Sequence, residues 1–389
     1  MSEGMPEAAV EENEKEINFE NASLKIKERG FQFHVAEHDS EGKNPKTFHT
    51  SEHPHTLERR AEQMADVLHL SPKQRLVAEM AIAWHDTVIE YDETDPNNLL
   101  AMIRRHRGAR EGDAPFSADG NEGKSARLVE DEMRKANEEA GVEIFTEEDI
   151  RAAILGVDFT YPDANLGKDF KGAPFEECPY FGVAVEQNPE LGKLFAELKK
   201  GDVVKGPLFS QPHLEKALED GVPVPKEALI VALADLGAAG FSKNEEFFHE
   251  GDDEMRELYG NLRRQEVLSR LVVGDDEADR VGREKAMGAF TGWLNGQPGF
   301  AAWQALRFEK ILHLLKQQNA ITVEEETGLR GQFSHYGENI RASLARAKEL
   351  TARVEEIKSS AGEKEAFKYL AETMGYTIEN KEGENEVVY

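Results

Sequence analysis

The chain has 389 residues, with 47 basic and 76 acidic side chains and a formal net charge of −29. That charge excludes a general nucleic-acid binder, which needs a basic footprint to displace counterions, and a protein that docks on anionic membranes. An anionic ligand would need a local device, such as a metal ion or a small basic cluster, to hold it against the global field.

Hydrophobic residues make up 39% and charged residues 32%, the balance of a soluble globular chain long enough for two domains. Cys178 is the only cysteine. An intramolecular disulfide, a cysteine zinc cluster and an iron–sulfur cluster are therefore excluded. The first residues, MSEGMPEAAVEENEKE, lack a basic n-region and an apolar run, and no stretch approaches about 18 apolar residues. The expectation is a cytoplasmic protein.

In chain order, residues 1–20 carry seven glutamates and one lysine and read as a disordered acidic tail, so residues 1–30 are expected to be loosely attached. Pro54 can open a helix with Leu57, Ala61, Met64, Ala65 and Leu68 on one face. Ser71-Pro72-Lys73-Gln74 is a capping box with proline at the first helical position. Behind it Leu76, Val77, Met80, Ala81 and Trp84 form an apolar stripe that ends at His85-Asp86. Residues 92–122 read as loop with one short helix. Helical spacing returns over 124–140, and Gly141 is the expected stop. Another helix starts at Thr146–Asp149 and runs to about Gly156. Residues 157–187 hold prolines, glycines and aromatics and read as an irregular insertion, continuing to about 225. Further helices are expected at 226–239, 253–272, 277–295, 299–318 and 323–358, with a short one near 364–374. Period-two alternation is nearly absent, so the class is all-α.

Two features carry chemistry. His49 and His53 are four apart, and His55 follows, so a helical turn would put His49 and His53 on one face. His85-Asp86 emerges directly from an apolar helix, and imidazole with carboxylate suits a divalent metal. His38-Asp39 is the same dipeptide in a polar stretch, and reads as surface. Asp235 lies in an otherwise apolar run, where an unpaired carboxylate is costly and calls for a cation or a buried base.

The ordered set resembles the HD superfamily of metal-dependent phosphohydrolases, in particular the branch of small bacterial proteins described as predicted metal-dependent HD phosphohydrolases. The matching elements are FHTSEH at 48–53, AIAWHD at 81–86, NEGKSA at 121–126 and DLGAAG at 235–240, and the likeness covers roughly residues 45–320. The resemblance implies an HD-domain helical bundle over 31–275 with an insertion near 157–225, followed by a helical extension over 276–389. It implies a divalent ion (Mn, Fe, Co, Ni, Zn or Mg) held by His53, His85, Asp86 and Asp235, with His55 competing for the place of His53. It puts His49, Glu122 and Lys124 at the catalytic centre, and turns Asn121, Lys124 and Ser125 toward the substrate. The family's Thr-x-x-His element has no counterpart in GVDFTYPDAN, residues 156–165, which puts a second histidine-bound metal in doubt.

The implied activity is hydrolysis of a small phosphorylated substrate, a nucleotide above others, by metal-activated water. A nucleic-acid duplex and a membrane are not expected partners, and a homo-oligomer is left open. Two alternatives stand beside it. One is an HD-fold module that binds a nucleotide or a protein without catalysis. The other is a phosphate-loop NTPase, in which 118–125 would cradle phosphate and 229–235 would be the strand that ends in a magnesium-binding Asp235.

Overall fold

The computed structural model describes residues 7–90, 120–161, 163–164, 178–200 and 209–378. The chain is all-α. Its only β structure among the described residues is an antiparallel pair, Asp163–Ala164 with Phe209–Ser210. The loop expected at 92–122 lies, apart from its last residues, outside the described residues.

The N-terminal half contains α1 (Glu7–His38), α2 (Glu52–Val67), α3 (Pro72–Trp84), α4 (Asn121–Ala140) and α5 (Glu147–Asp158). The capping signals act as expected. Ser71 and Gln74 close a capping box at the start of α3, Thr146 and Asp149 do so for α5, and Gly141 ends α4 at φ 66°. Two short helices, α6 (Phe181–Gln187) and α7 (Pro189–Lys200), lie in the insertion, and α8 (Pro212–Glu219) follows the second strand. Next come α9 (Lys226–Asp235), α10 (Ala238–Phe241), α11 (Asn244–Leu258) and α12 (Gln265–Val273). The C-terminal part is α13 (Glu277–Gln317), α14 (Val323–Gln332), α15 (Tyr336–Ala361) and α16 (Glu363–Thr373).

Four expectations are corrected. Residues 7–38 form one helix instead of a loose tail, and Phe19, Ser23, Ile26 and His34 are buried against the bundle. A Cβ on Gly30 would stand 2.5 Å from the Ala83 carbonyl oxygen, so α1 crosses the end of α3 at backbone distance. The helix expected over 226–239 breaks at Leu236-Gly237, which leaves Asp235 as its last residue. Pro298 does not divide α13: the helix passes through it with Pro298 buried, because apolar faces on both sides of the proline pack into cores. In the opposite sense, 323–358 is two helices. The His335 N–H reaches the Gly240 carbonyl at 2.9 Å and turns the chain between them.

The expected boundary at 275/276 is not where the packing divides. One core runs from Phe19 to Leu344 and includes Ala301, Leu306, Ile311 and Leu315 of α13. A second gathers Met255, Leu262 and Leu268 with Phe290 and Leu294 of α13, and with Phe367, Leu370 and Met374. The long helix thus belongs to both.

Three helices set up the site. Lys73 in the first turn of α3 pairs with Asp149 of α5 at 2.8 Å, and Gln74 donates to Glu227 in the first turn of α9 at 3.1 Å. Further along, Gly156 of α5 lies against Ala81 of α3 and Val231 of α9. The three helices therefore run parallel and end at one level, at His85-Asp86, Asp158 and Asp235. Helix α2 runs the other way: its end meets Lys226, which donates to the Leu68 carbonyl at 3.4 Å, so its first turn faces the three C-termini.

A Cβ at position 156 would sit 2.9 Å from the Ala81 Cβ and 3.4 Å from a Val231 methyl. Replacing Gly156 by Leu should wedge the three helices apart and cost about 1–3 kcal/mol, the usual penalty of overpacking. A lowered urea midpoint at unchanged m-value checks this.

Candidate metal centre

His53 stands in the first turn of α2, His85 caps α3, Asp86 follows it, and Asp235 ends α9. One ligand atom from each lies within 4.8 Å of the others. The His53 Nε2 is 3.8 Å from the Asp86 Oδ2 and 3.6 Å from the Asp235 Oδ1, and the His85 Nε2 is 3.4 Å from the Asp86 Oδ2. None of these gaps is a hydrogen bond. They are the spacings of ligand atoms that each sit about 2.0–2.2 Å from a common centre. The group could hold a metal ion.

The donor chemistry fits one. The Nε2 atoms of His53 and His85 are buried and make no hydrogen bond. The His85 Nδ1 lies 2.5 Å from the Ile82 carbonyl, which can only accept, so Nδ1 carries the proton and Nε2 presents its lone pair. Burial, followed by the neighbouring His85 and His49, holds the His53 pKa well below its ordinary value, in the neutral form a ligand needs. Asp86 adopts φ 53°, a left-handed conformation that Asp tolerates better than most residues and that costs about 1–2 kcal/mol. Here it turns the carboxylate back toward His85.

Residues from distant elements hold this geometry. The His34 Nε2 contacts the His85 carbonyl at 3.0 Å, and the His38 Nε2 contacts the Thr87 carbonyl at 3.0 Å. Two histidines of α1 thus bracket the strained turn. His38 is buried, which corrects the expectation that His38-Asp39 is surface. Asp39 also has structural work: it accepts the Ser51 N–H at 2.8 Å and the Ser51 hydroxyl at 2.9 Å. Glu257 of α11 accepts the N–H groups of Thr47, Phe48 and His49 at 3.2, 2.8 and 3.0 Å, and its other oxygen is 2.6 Å from the His49 Nδ1. Arg60 is buried beneath the site, donating to the Ala234 carbonyl, the Ser242 hydroxyl and Glu250. The insertion also reaches the site. Gln211 donates to the Ala232 carbonyl at 2.8 Å and to Asp235 at 3.4 Å, and Arg307 of α13 donates to Gln211.

The electrostatics are those of crowded, buried carboxylates. Burial pushes Glu122 up to about 8, with Asp86 adding to the shift. Burial also raises Asp235, against the pull of His85 and His49. A cation at the centre would draw such groups back toward the ionised form. For His49, burial opposes the charge, but Glu257 and Asp86 overcome it and hold the pKa up at about 9.

Each expected site residue has a definite place. His53, His85, Asp86 and Asp235 come together, whereas His55 does not join them. Its ring stacks on Phe31 at 4.1 Å on the outer face of α2. His49 lies beside the group, 3.7 Å from Asp86, but in a loop before α2 and not on a shared helical turn with His53. Asn121 and Glu122 open α4, and Glu122 is buried toward Asp86. Lys124 is paired with Glu90. Ser125 is fully buried and its hydroxyl accepts the Val88 N–H at 3.1 Å, so it anchors the turn after Asp86 instead of facing substrate. The phosphate-loop alternative fails, because 226–235 is helix and not strand.

Comparison with protein-family models, with curated proteins and with solved structures finds no match to this chain. Among the described residues, no helix is long and apolar enough to cross a membrane.

Asp86→Asn keeps a side chain that tolerates the left-handed backbone while removing a charged ligand. It should lower affinity for a divalent metal by more than about 100-fold, beyond the 10–100-fold of losing a supporting partner, with the helical circular dichroism unchanged. Elemental analysis and metal titration read this directly.

A pH effect follows from Glu215 of α8, which Arg307 and Lys310 contact at 3.1 and 2.6 Å. Burial works to raise its pKa, yet the two cations win and hold it below the ordinary value. Its stabilising contribution is therefore complete above the unfolded glutamate pKa, about 4.3, and is lost as pH falls through the lower folded value. The hydrogen-exchange protection of α8, relative to intrinsic rates at each pH, should fall in acid, and Glu215→Gln should remove that pH dependence.

Proposed function

We propose that this chain is a metal-dependent phosphohydrolase of the HD type, acting on a small phosphorylated substrate such as a nucleotide. The observation that carries the reading is the convergence of two buried, unpartnered imidazole nitrogens with the carboxylates of Asp86 and Asp235. Three of the four ordered sequence elements that resemble the family supply the residues of this one group, which adds support. Two imidazoles and two carboxylates suit Mn, Fe, Co, Ni or Zn more than Mg, which prefers all-oxygen surroundings. When bound, such an ion lowers the pKa of coordinated water and neutralises phosphate charge.

The chain's own residues have separate tasks in this reading. His53, His85, Asp86 and Asp235 hold the ion. Glu257 holds His49 beside the group and raises its pKa, so its ring can offer an N–H to a phosphate oxygen. Glu122 lies buried toward Asp86, where a bound ion would draw it toward the ionised form. Lys124 already has Glu90 as a partner, so a phosphate would have to compete for it. The engagement of Lys124 and the burial of Ser125 favour, as a second reading, a module that binds a phosphorylated ligand at the metal without turning it over.

The expected outcome is metal-dependent, chelator-sensitive release of phosphate from at least one nucleotide or small phosphoester, in a screen with Mn, Co, Ni and Fe. His49→Ala should slow release by about 10²-fold or more, as loss of a charged donor to a developing anion does. Metal uptake with no turnover of any compound would move the assignment to the binding module.

A further inference from the structure

The two carboxylate oxygens of Asp235 have different neighbours. Oδ1 approaches the metal group, 3.6 Å from the His53 Nε2. Oδ2 accepts from the side-chain nitrogen of Gln211 at 3.4 Å. Gln211 stands between the second strand and α8, in the insertion, and is fully buried. The same nitrogen donates to the Ala232 carbonyl at 2.8 Å, one helical turn before Asp235.

The amide has one possible orientation. Arg307 of α13 donates to the Gln211 Oε1, and a guanidinium has no acceptor to offer. On the other side the Ala232 carbonyl can only accept, so the Gln211 nitrogen must face α9 and the Asp235 Oδ2. Arg307 is itself held in place. Its Nε lies 3.1 Å from a Glu215 oxygen, another of its nitrogens donates to Gln304 at 3.2 Å, and Lys310 takes the second Glu215 oxygen at 2.6 Å. A line of paired groups thus runs from Lys310 through Glu215, Arg307 and Gln211 to the carboxylate that ends α9.

A plainer account is that Gln211 only caps α9, by satisfying a carbonyl of its last turn. That task uses one N–H. The amide has two, and the second falls on the carboxylate of the metal group, at the oxygen for which no contact with the other three residues is seen.

We propose that Gln211 is a positioning residue of the metal centre: oriented by Arg307, it holds Oδ2 of Asp235 so that only Oδ1 is offered to the ion. This rests on the metal reading above, and on no particular substrate or turnover. A ligand carboxylate tied at its second oxygen is fixed in rotation, and losing such a partner typically lowers metal affinity about 10–100-fold. Keeping Asp235 to one oxygen also spares a coordination position, the open place that a water or a ligand needs at a working metal. The insertion then acts on the centre through a residue that no sequence motif points to.

The test uses the full chain with Mn²⁺ as probe. Mn²⁺ affinity is measured by calorimetry, and the urea midpoint of the metal-free protein alongside it, for the parent and for Gln211→Met, which keeps the side-chain length without a donor. Affinity is expected to fall about tenfold or more, with the helical circular dichroism unchanged. Parental affinity in the variant, whether or not its urea midpoint drops, reduces Gln211 to a cap and overturns the inference. A crystal structure of the Mn²⁺-loaded parent decides independently of any variant, and so covers the case in which Gln211→Met does not fold. Asp235 should reach the ion through Oδ1 alone, with Oδ2 on the Gln211 amide. Both oxygens on the ion, or an amide turned away from Asp235, overturns the inference. A parent that takes up no Mn²⁺ is a different failure, since it removes the metal reading and this inference together.

Discussion

Three helices end at the same place with their carbonyl ends forward. Each carries a partial negative charge at its C-terminus, and α3, α5 and α9 each add an aspartate there. Like charges so placed and removed from water cannot all remain ionised on their own. The rest of the structure answers that constraint. Unpartnered imidazole nitrogens are brought in from α2 and the end of α3, His49 is held beside the group by Glu257, and space is left between ligand atoms that a divalent cation would fill.

The supports come from far along the chain because the site sits where chain ends meet, not inside one element. The turn at Asp86 is strained, and α1 steadies it through His34 and His38. The loop before α2 has no regular structure of its own, and one carboxylate, Glu257, collects three of its N–H groups. Arg60 is a buried cation whose partners, Ala234, Ser242 and Glu250, fasten α2 to the segments around Asp235. Losing such a residue while Glu250 stays buried typically costs about 3–5 kcal/mol, so the scaffold and the electrostatics of the site cannot be separated.

His85, Asp86 and Asp235 are legible in the sequence because their signal is chemical, polar residues of ligand type set into or directly after apolar helices, whereas His53 is singled out from His55 only by the family resemblance. The capping boxes at Ser71 and Thr146 and the stop at Gly141 were legible because they act over four residues. Helix α1 was hidden by its own composition. Its buried stripe is Phe19, Ser23, Ile26, Gly30, His34 and His38, which keeps the helical period but holds only two apolar side chains. The spacing of His34 and His38 was available as a signal, but acidic neighbours disguised it. The separate helices expected at 277–295 and 299–318 are one, because two cores on either side of Pro298 hold the helix together. The pairings of Asp158 with His213 and of Glu257 with His49 bridge 55 and 208 residues, and no local pattern encodes a partner at that distance.

That last separation has a consequence in time. During synthesis His53, His85 and Asp86 leave the ribosome long before Asp235, and Glu257 follows later still. N-terminal units generally fold first, so α1, α2 and α3 can gather two imidazoles and one carboxylate while Asp235 is unmade. A three-ligand site is open to water and less discriminating than the finished one. The cation a nascent chain meets would then be set by what the cell supplies at that moment, and the arrival of α9 and α11 would enclose it.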